Sequence, residues 1–173
     1  MELWDAYDRD FKKIQGVTLV RGEVIPEGFF HLVCEIIVRH IDGSYLIMQR
    51  DKRKHLGGMW EATAGGSALQ GEEPAICAAR ELYEETNISK NDIKLVYFMN
   101  LSYIKWDIEL EVYYGVLNGD VNLIEEVNKL EWRSLSDNFF NLNKYAGEGN
   151  IGHIIEEIKI DLEREKNHES INN

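Results

Sequence analysis

The sequence predicts an α/β protein built on one mixed β-sheet with helices on both of its faces. Three observations carry this expectation. Runs rich in β-branched and aromatic residues recur on both sides of one long helix-forming stretch, residues 74–86. These runs lack the regular strand–helix–strand alternation of a doubly wound parallel sheet. Near the end of the chain come a helical stretch at 135–145 and an amphipathic one at 151–165, available for the sheet's second face.

Taken in order, residues 1–30 read as an N-terminal extension in which 3–7 and 17–20 pair across 8–16. Arg21-Gly22 and Pro26-Glu27-Gly28 are connecting loop. The apolar run FFHLVCEIIVR (29–39) turns at Asp42-Gly43 into YLIMQR (45–50), a clear hairpin signal. The loop at 51–58 carries Lys52, Arg53, Lys54 and His55, a dense basic stretch in an acidic chain, and ends on Gly57-Gly58. MWEATAG (59–65) reads as a short strand, with Trp60 as core or pocket wall. After the helix, 93–103 is strand-like. Residues 106–117 alternate, with Ile108, Leu110, Val112, Tyr114 and Val116 on one face and Glu109 and Glu111 on the other. A turn at 118–120, a short strand at 130–132, the two terminal helices and a frayed tail at 167–173 complete the chain. Nothing marks a repeat or a domain boundary, so residues 1–173 are read as a single domain.

Bulk properties narrow the function. A chain of 173 residues, 44% hydrophobic and 29% charged, is long enough for one domain with a real core. No apolar run approaches the length that spans a bilayer, and the acidic start lacks an apolar signal core, so a cytoplasmic protein without membrane partners is expected. The two cysteines, Cys34 and Cys77, make no disulfide framework and read as packing residues. A net charge of −12 argues against nucleic-acid polymers, whose affinity comes from Lys and Arg neutralising phosphates. It leaves room for a small phosphorylated substrate where a metal and a local basic patch offset the field.

The chemistry concentrates around 66–88. Pro74 suits the first turn of a helix, with Glu72 and Glu73 beside its positive end, and Asn87 can cap the other end in a left-handed conformation. At about 100° per residue, Glu81, Glu84 and Glu85 share roughly a third of the circumference, with Arg80 at its edge. Ala75, Ile76, Ala79, Leu82 and Tyr83 are expected to take the opposite, core-facing side. An acidic helix face in water is the commonplace reading of such a cluster. Like charges at these spacings repel, however, and a hard divalent cation such as Mg²⁺ relieves the repulsion, the more so when substrate phosphates complete its shell.

Gly66, five residues, Glu72, seven residues, then Arg80-Glu81-Leu82, Glu84-Glu85 and Ile88 match the pattern GX5EX7REUXEEXGU at eight of nine defined positions. Asn87 replaces the last glycine, and asparagine also tolerates positive φ. The chain resembles the Nudix hydrolases, over most of residues 30–135. The resemblance implies a Nudix-type α/β/α sandwich with the box helix in a catalytic loop–helix–loop. It implies a Mg²⁺-dependent (or Mn²⁺-dependent) hydrolase of a nucleoside diphosphate linked to another moiety. Glu81, Glu84 and Glu85 match the family's metal positions, with Glu72, Arg80 and backbone at Gly65 in support, while Gly66, Arg50 and Lys54 are candidates for contact with substrate phosphate. The general base is left between a box glutamate, Glu84 first, and Glu109 or Glu111. A homodimer stays open.

The stretch from His31-Leu32 through Glu111 is also similar to the branch that contains isopentenyl diphosphate isomerase. His31, Glu109 and Glu111 match its metal and catalytic positions, and His31 is the last candidate for the substrate side. The catalytic cysteine of that enzyme has no counterpart, since Gly65-Gly66-Ser67 stand there. Three readings therefore go forward: a pyrophosphohydrolase, an isomerase-like enzyme, and a nucleotide-binding sensor without activity.

Overall fold

The computed structural model describes residues 1–54, 57–61, 64–121, 127–133 and 160. The helices expected at 135–145 and 151–165, the tail at 167–173 and His55 lie outside the described residues.

The first two strands, β1 (Leu3–Tyr7) and β2 (Lys13–Val20), form an antiparallel pair of their own. β2 begins sooner than expected, because the Asp8 carboxylate accepts the backbone N–H groups of Asp10 (2.9 Å) and Lys12 (3.0 Å) and closes the turn there. Gly16 is consequently no turn residue. It sits at positive φ inside β2, where the register slips between Asp5 and Ala6 to form a bulge.

The main sheet is organised on β3 (His31–His40). Along one edge β8 (Ile108–Leu117) runs parallel to it, from His31 opposite Ile108 to His40 opposite Leu117, and β7 (Val96–Tyr103) pairs antiparallel beyond. Along the other edge β6 (Ala64–Ser67) pairs antiparallel, with Glu35 opposite Gly65 and Cys34 opposite Gly66. The hairpin partner β4 (Tyr45–Arg50) carries β5 (Trp60–Glu61) and β9 (Val127–Arg133). One parallel pair among antiparallel ones is the mixed sheet that the sequence predicts. The single strand expected at 59–65 is instead two short pieces, β5 on β4 and β6 on β3.

The box helix α1 (Pro74–Thr86) starts on Pro74 and ends on Asn87 in the left-handed conformation (φ 60°), whose N–H donates to the Tyr83 carbonyl at 2.8 Å. Its orientation corrects the sequence reading. Cys77, Ala78, Leu82, Glu85 and Thr86 are buried, whereas Ala75, Ile76 and Tyr83 are exposed and Ala79 is half-buried. The helix packs on β3 through Leu32, Cys34 and Ile36 and on the small residues of β6. Because β6 presents glycines there, the acidic edge of α1 turns in toward the sheet. The opposite face of the sheet builds a second cluster around Ile37, Tyr45, Leu110 and Val112, with half-buried Trp60 against it.

The β1–β2 pair clasps the loop that leads into α1. Gln70 N–H donates to the Leu3 carbonyl (2.8 Å), Gly71 N–H to the buried Asp5 carboxylate (2.7 Å), and Gln70 Nε2 to Thr18 Oγ1 (2.7 Å). That loop carries Glu72, so the extension fixes one corner of the site.

Candidate active site

Arg80 is the hub. Its guanidinium grips both oxygens of Glu72 (Nε 2.8 Å, Nη2 2.9 Å), and Nη1 donates to Glu81 (2.6 Å) and to Glu84 (3.1 Å). Nη2 also reaches the Ser67 carbonyl at 3.1 Å, tying α1 to β6. The fork geometry of a guanidinium suits such bidentate work, which an ammonium cannot reproduce. Glu72 in turn accepts the Leu69 N–H (2.9 Å), and Arg80 holds its carboxyl below the usual range. The spacing of eight between Glu72 and Arg80 thus brings a loop carboxylate back onto the helix.

Gly66 is the second fixed point. A Cβ placed on it would fall onto the Glu81 carboxyl, so only glycine leaves that carboxylate its position against β6. Burial raises the pKa of Glu81, with Arg80 pulling the other way. Glu85 lies deeper, at 8% exposure, and accepts the Gly65 N–H at 3.1 Å. Burial lifts its pKa to about 8 against that hydrogen bond, with Glu61 adding to the rise.

Near Glu85 come a cation of the basic loop and, on the strand that leads into that loop, Arg50. Lys54 Nζ lies 3.9 Å from Glu85 Oε1, and Arg50 Nη1 lies 2.6 Å from Glu61 Oε2. Arg53 folds back on Asp51 instead (2.8 and 2.9 Å). Sequence reasoning passed over Glu61 and Glu35. Both stand next to this cluster electrostatically: burial takes Glu35 to about 7, and Glu61 contributes to that rise as it does at Glu85. Glu61 occupies the two-residue β5 beside Trp60, and a single acid in WEATAG gives no periodic signal.

The structure does not bring His31, Glu109 and Glu111 together. His31 stacks on Trp4 (centroids 4.2 Å, 13°), and its Nδ1 lies 3.2 Å from the Asp107 carbonyl. Burial lowers its pKa. Glu109 is fully buried. Its Oε2 accepts the Ser102 hydroxyl at 2.6 Å, and its Oε1 has no partner among the described residues. Glu111 accepts the Tyr113 hydroxyl at 2.8 Å. The expected alternation of β8 is present, with Glu109 and Glu111 on the face that also carries Tyr113, but both faces of the strand are largely covered.

The donor set suits a hard divalent cation: carboxylate oxygens of Glu81, Glu84 and Glu85 next to glycine backbone. Glu81 and Glu85 carry raised pKa values because of burial, a cost that a bound dication offsets. Among the described residues no three side chains of metal-ligating type already converge on one point. Arg80 holds two of these carboxylates, so its positive charge stands where a cation's would act.

The NUDIX domain pattern matches residues 30–154, and the chain belongs to the Nudix family. A Nudix hydrolase of Listeria monocytogenes is 37% identical over 89 residues, 51% of this chain and 52% of that protein. One of Listeria innocua is 34% identical over 90 residues, 51% and 53% respectively, so the chain spans about half the length of the curated relatives it matches. Among solved structures, DR0079 from Deinococcus radiodurans superposes with a TM-score of 0.74 at 15% identity, over 90% of this chain and 98% of its own. The Ap4A hydrolase of C. elegans superposes with a TM-score of 0.60 at 20% identity, over 76% and 97%. The fold is therefore the α/β/α sandwich of this family.

Proposed function

We propose that this protein is a pyrophosphohydrolase that cleaves the phosphoanhydride of a nucleoside diphosphate linked to another moiety. The observation that carries the reading is the Arg80 hub, which holds Glu72, Glu81 and Glu84 around Gly66. In this reading Glu81, Glu84 and Glu85 hold Mg²⁺ or Mn²⁺, with Glu72 and the Gly65 backbone in support. Such an ion supplies charge neutralisation at the phosphates and a more acidic bound water. Arg80 keeps Glu72, Glu81 and Glu84 gathered at one place on α1, from which Glu81 and Glu84 would turn toward the ion. Glu84, whose side chain is half exposed, takes the role of general base, and Glu109 and Glu111 are the strand alternatives. Arg50 and Lys54 are assigned to substrate phosphate and a cytoplasmic setting is inferred; no helix of the described residues is long and apolar enough to cross a membrane.

The isomerase-like reading asks for a thiol ahead of the box. Both thiols of the chain are instead buried, Cys34 donating to the Pro74 carbonyl (3.3 Å) and Cys77 to the Gly66 carbonyl (3.7 Å). The deciding experiment is a phosphate-release screen with Mg²⁺ over nucleoside diphosphates, triphosphates, sugar nucleotides, dinucleoside polyphosphates and coenzymes. Release from one class, lost on Glu84→Gln, supports the reading. Thermal stabilisation by nucleotides with no release across the panel points to the sensor reading instead.

A further inference from the structure

We infer that Glu61 is a positioning residue for substrate phosphate, acting through Arg50; this rests on the diphosphate reading above. Arg50 is the last residue of β4, and the loop that follows is closed at its base by three hydrogen bonds. Arg50 N–H donates to the Met59 carbonyl (3.0 Å), Gly58 N–H to the Arg50 carbonyl (3.0 Å), and Gln49 Nε2 to the Gly58 carbonyl (2.8 Å). The antiparallel register then sets Glu61 opposite Met48 and Trp60 opposite Gln49. Glu61 is thus fixed by backbone, and its carboxylate fixes the guanidinium of Arg50 at 2.6 Å.

Both side chains are largely covered, 29% and 17% exposed, so their hydrogen bond is better shielded from water than an ordinary surface pair. Lys54, in the loop that Arg50 opens, reaches to 3.9 Å from Glu85 Oε1, which places this pair beside the acidic helix rather than on a remote edge. Glu61 keeps the guanidinium on the β4–β5 side, and an arginine with five donors in a rigid fork can serve a carboxylate and a phosphate together.

The test compares Glu61→Gln, Glu61→Ala, Arg50→Ala and the double variant Arg50→Ala/Glu61→Ala. Loss of the anchor is expected to raise KM for a diphosphate substrate about tenfold, the scale of one misplaced charge-assisted contact, with kcat changed less than about threefold. The double variant is expected to be no worse than Arg50→Ala alone. Calorimetry with imidodiphosphate and Mg²⁺ gives a readout that needs no turnover, and Kd is expected to weaken by the same factor. An unchanged KM and Kd, a loss confined to kcat, or multiplying effects in the double variant overturns the inference. So does a wild-type protein that binds no imidodiphosphate. Should Glu61→Ala not fold, the near-isosteric Glu61→Gln decides. A wild type that hydrolyses nothing, yet binds imidodiphosphate in a Glu61-dependent way, breaks the hydrolase reading and leaves this one standing.

Discussion

Two acidic regions of this molecule look alike in the sequence and are built differently in the structure. On α1, Glu81, Glu84 and the loop residue Glu72 meet one guanidinium, and Glu81 and Glu85 rest against the glycines of β6. On β8, Glu109 and Glu111 share a face, yet each is absorbed by a separate neighbour, Ser102 and Tyr113. Carboxylates three and four apart on a helix stand close enough for one cation to serve several of them. Carboxylates two apart on a strand lie on the same side, and here each meets its own neighbour, Glu109 the Ser102 of adjacent β7 and Glu111 the Tyr113 two residues further along β8. Shared charge compensation, not the number of acids, separates the two regions.

The sharpest way to break this comparison is to remove charge from α1. Glu84→Gln is expected to lower turnover about a thousandfold, the scale of a lost charge-stabilising group, while the melting temperature holds. Unchanged phosphate release would remove α1 from the chemistry. Next in size is Arg80→Ala. It leaves Glu72 and Glu81, whose side chains are 11% and 13% exposed, without their counter-charge. A loss of about 3 kcal/mol is expected, roughly 9 °C in a thermal melt, together with activity. Recovery of part of that stability in Mg²⁺ would show the ion taking over the guanidinium's electrostatic part. Gly66→Ala comes third. Its methyl group would displace the Glu81 carboxyl, which is expected to cost about 1–2 kcal/mol and at least tenfold in kcat. A variant with native kinetics would mean that Glu81 can stand elsewhere.

The constellation on α1 was legible because its parts are local. Pro74 and Asn87 mark the helix ends by backbone chemistry alone, and both hold. The face of the helix was not legible. Ile76 and Tyr83 are apolar by composition, but whether they go inward depends on what lies beneath, and the glycines of β6 pull the acidic edge in instead. The mixed sheet followed from the order of strand runs, whereas the split of 59–65 between β4 and β3 depends on partners far along the chain. Glu61 escaped notice for that reason. His31 shows the reverse case: its place at the head of β3 was visible, but its stacking on Trp4 comes from the N-terminal pair of strands, whose seating no local pattern sets.

The smallest expected effect sharpens the other side of the comparison. If Glu109 belongs to packing, Glu109→Gln keeps turnover within about threefold of the wild type. Its larger signature lies in the pH dependence of stability. Burial holds the Glu109 carboxyl above its ordinary value of 4.5, so the folded chain retains this proton where the unfolded chain has released it. The associated stability is complete below the unfolded value and is lost as pH rises through the folded one. Glutamine has no proton to lose at that position. The difference in melting temperature between variant and wild type should therefore move in the variant's favour from pH 5 to pH 8. A pH-independent difference would show that Glu109 carries its charge at no cost. A large fall in kcat would move this carboxylate from the packing of β8 into the chemistry.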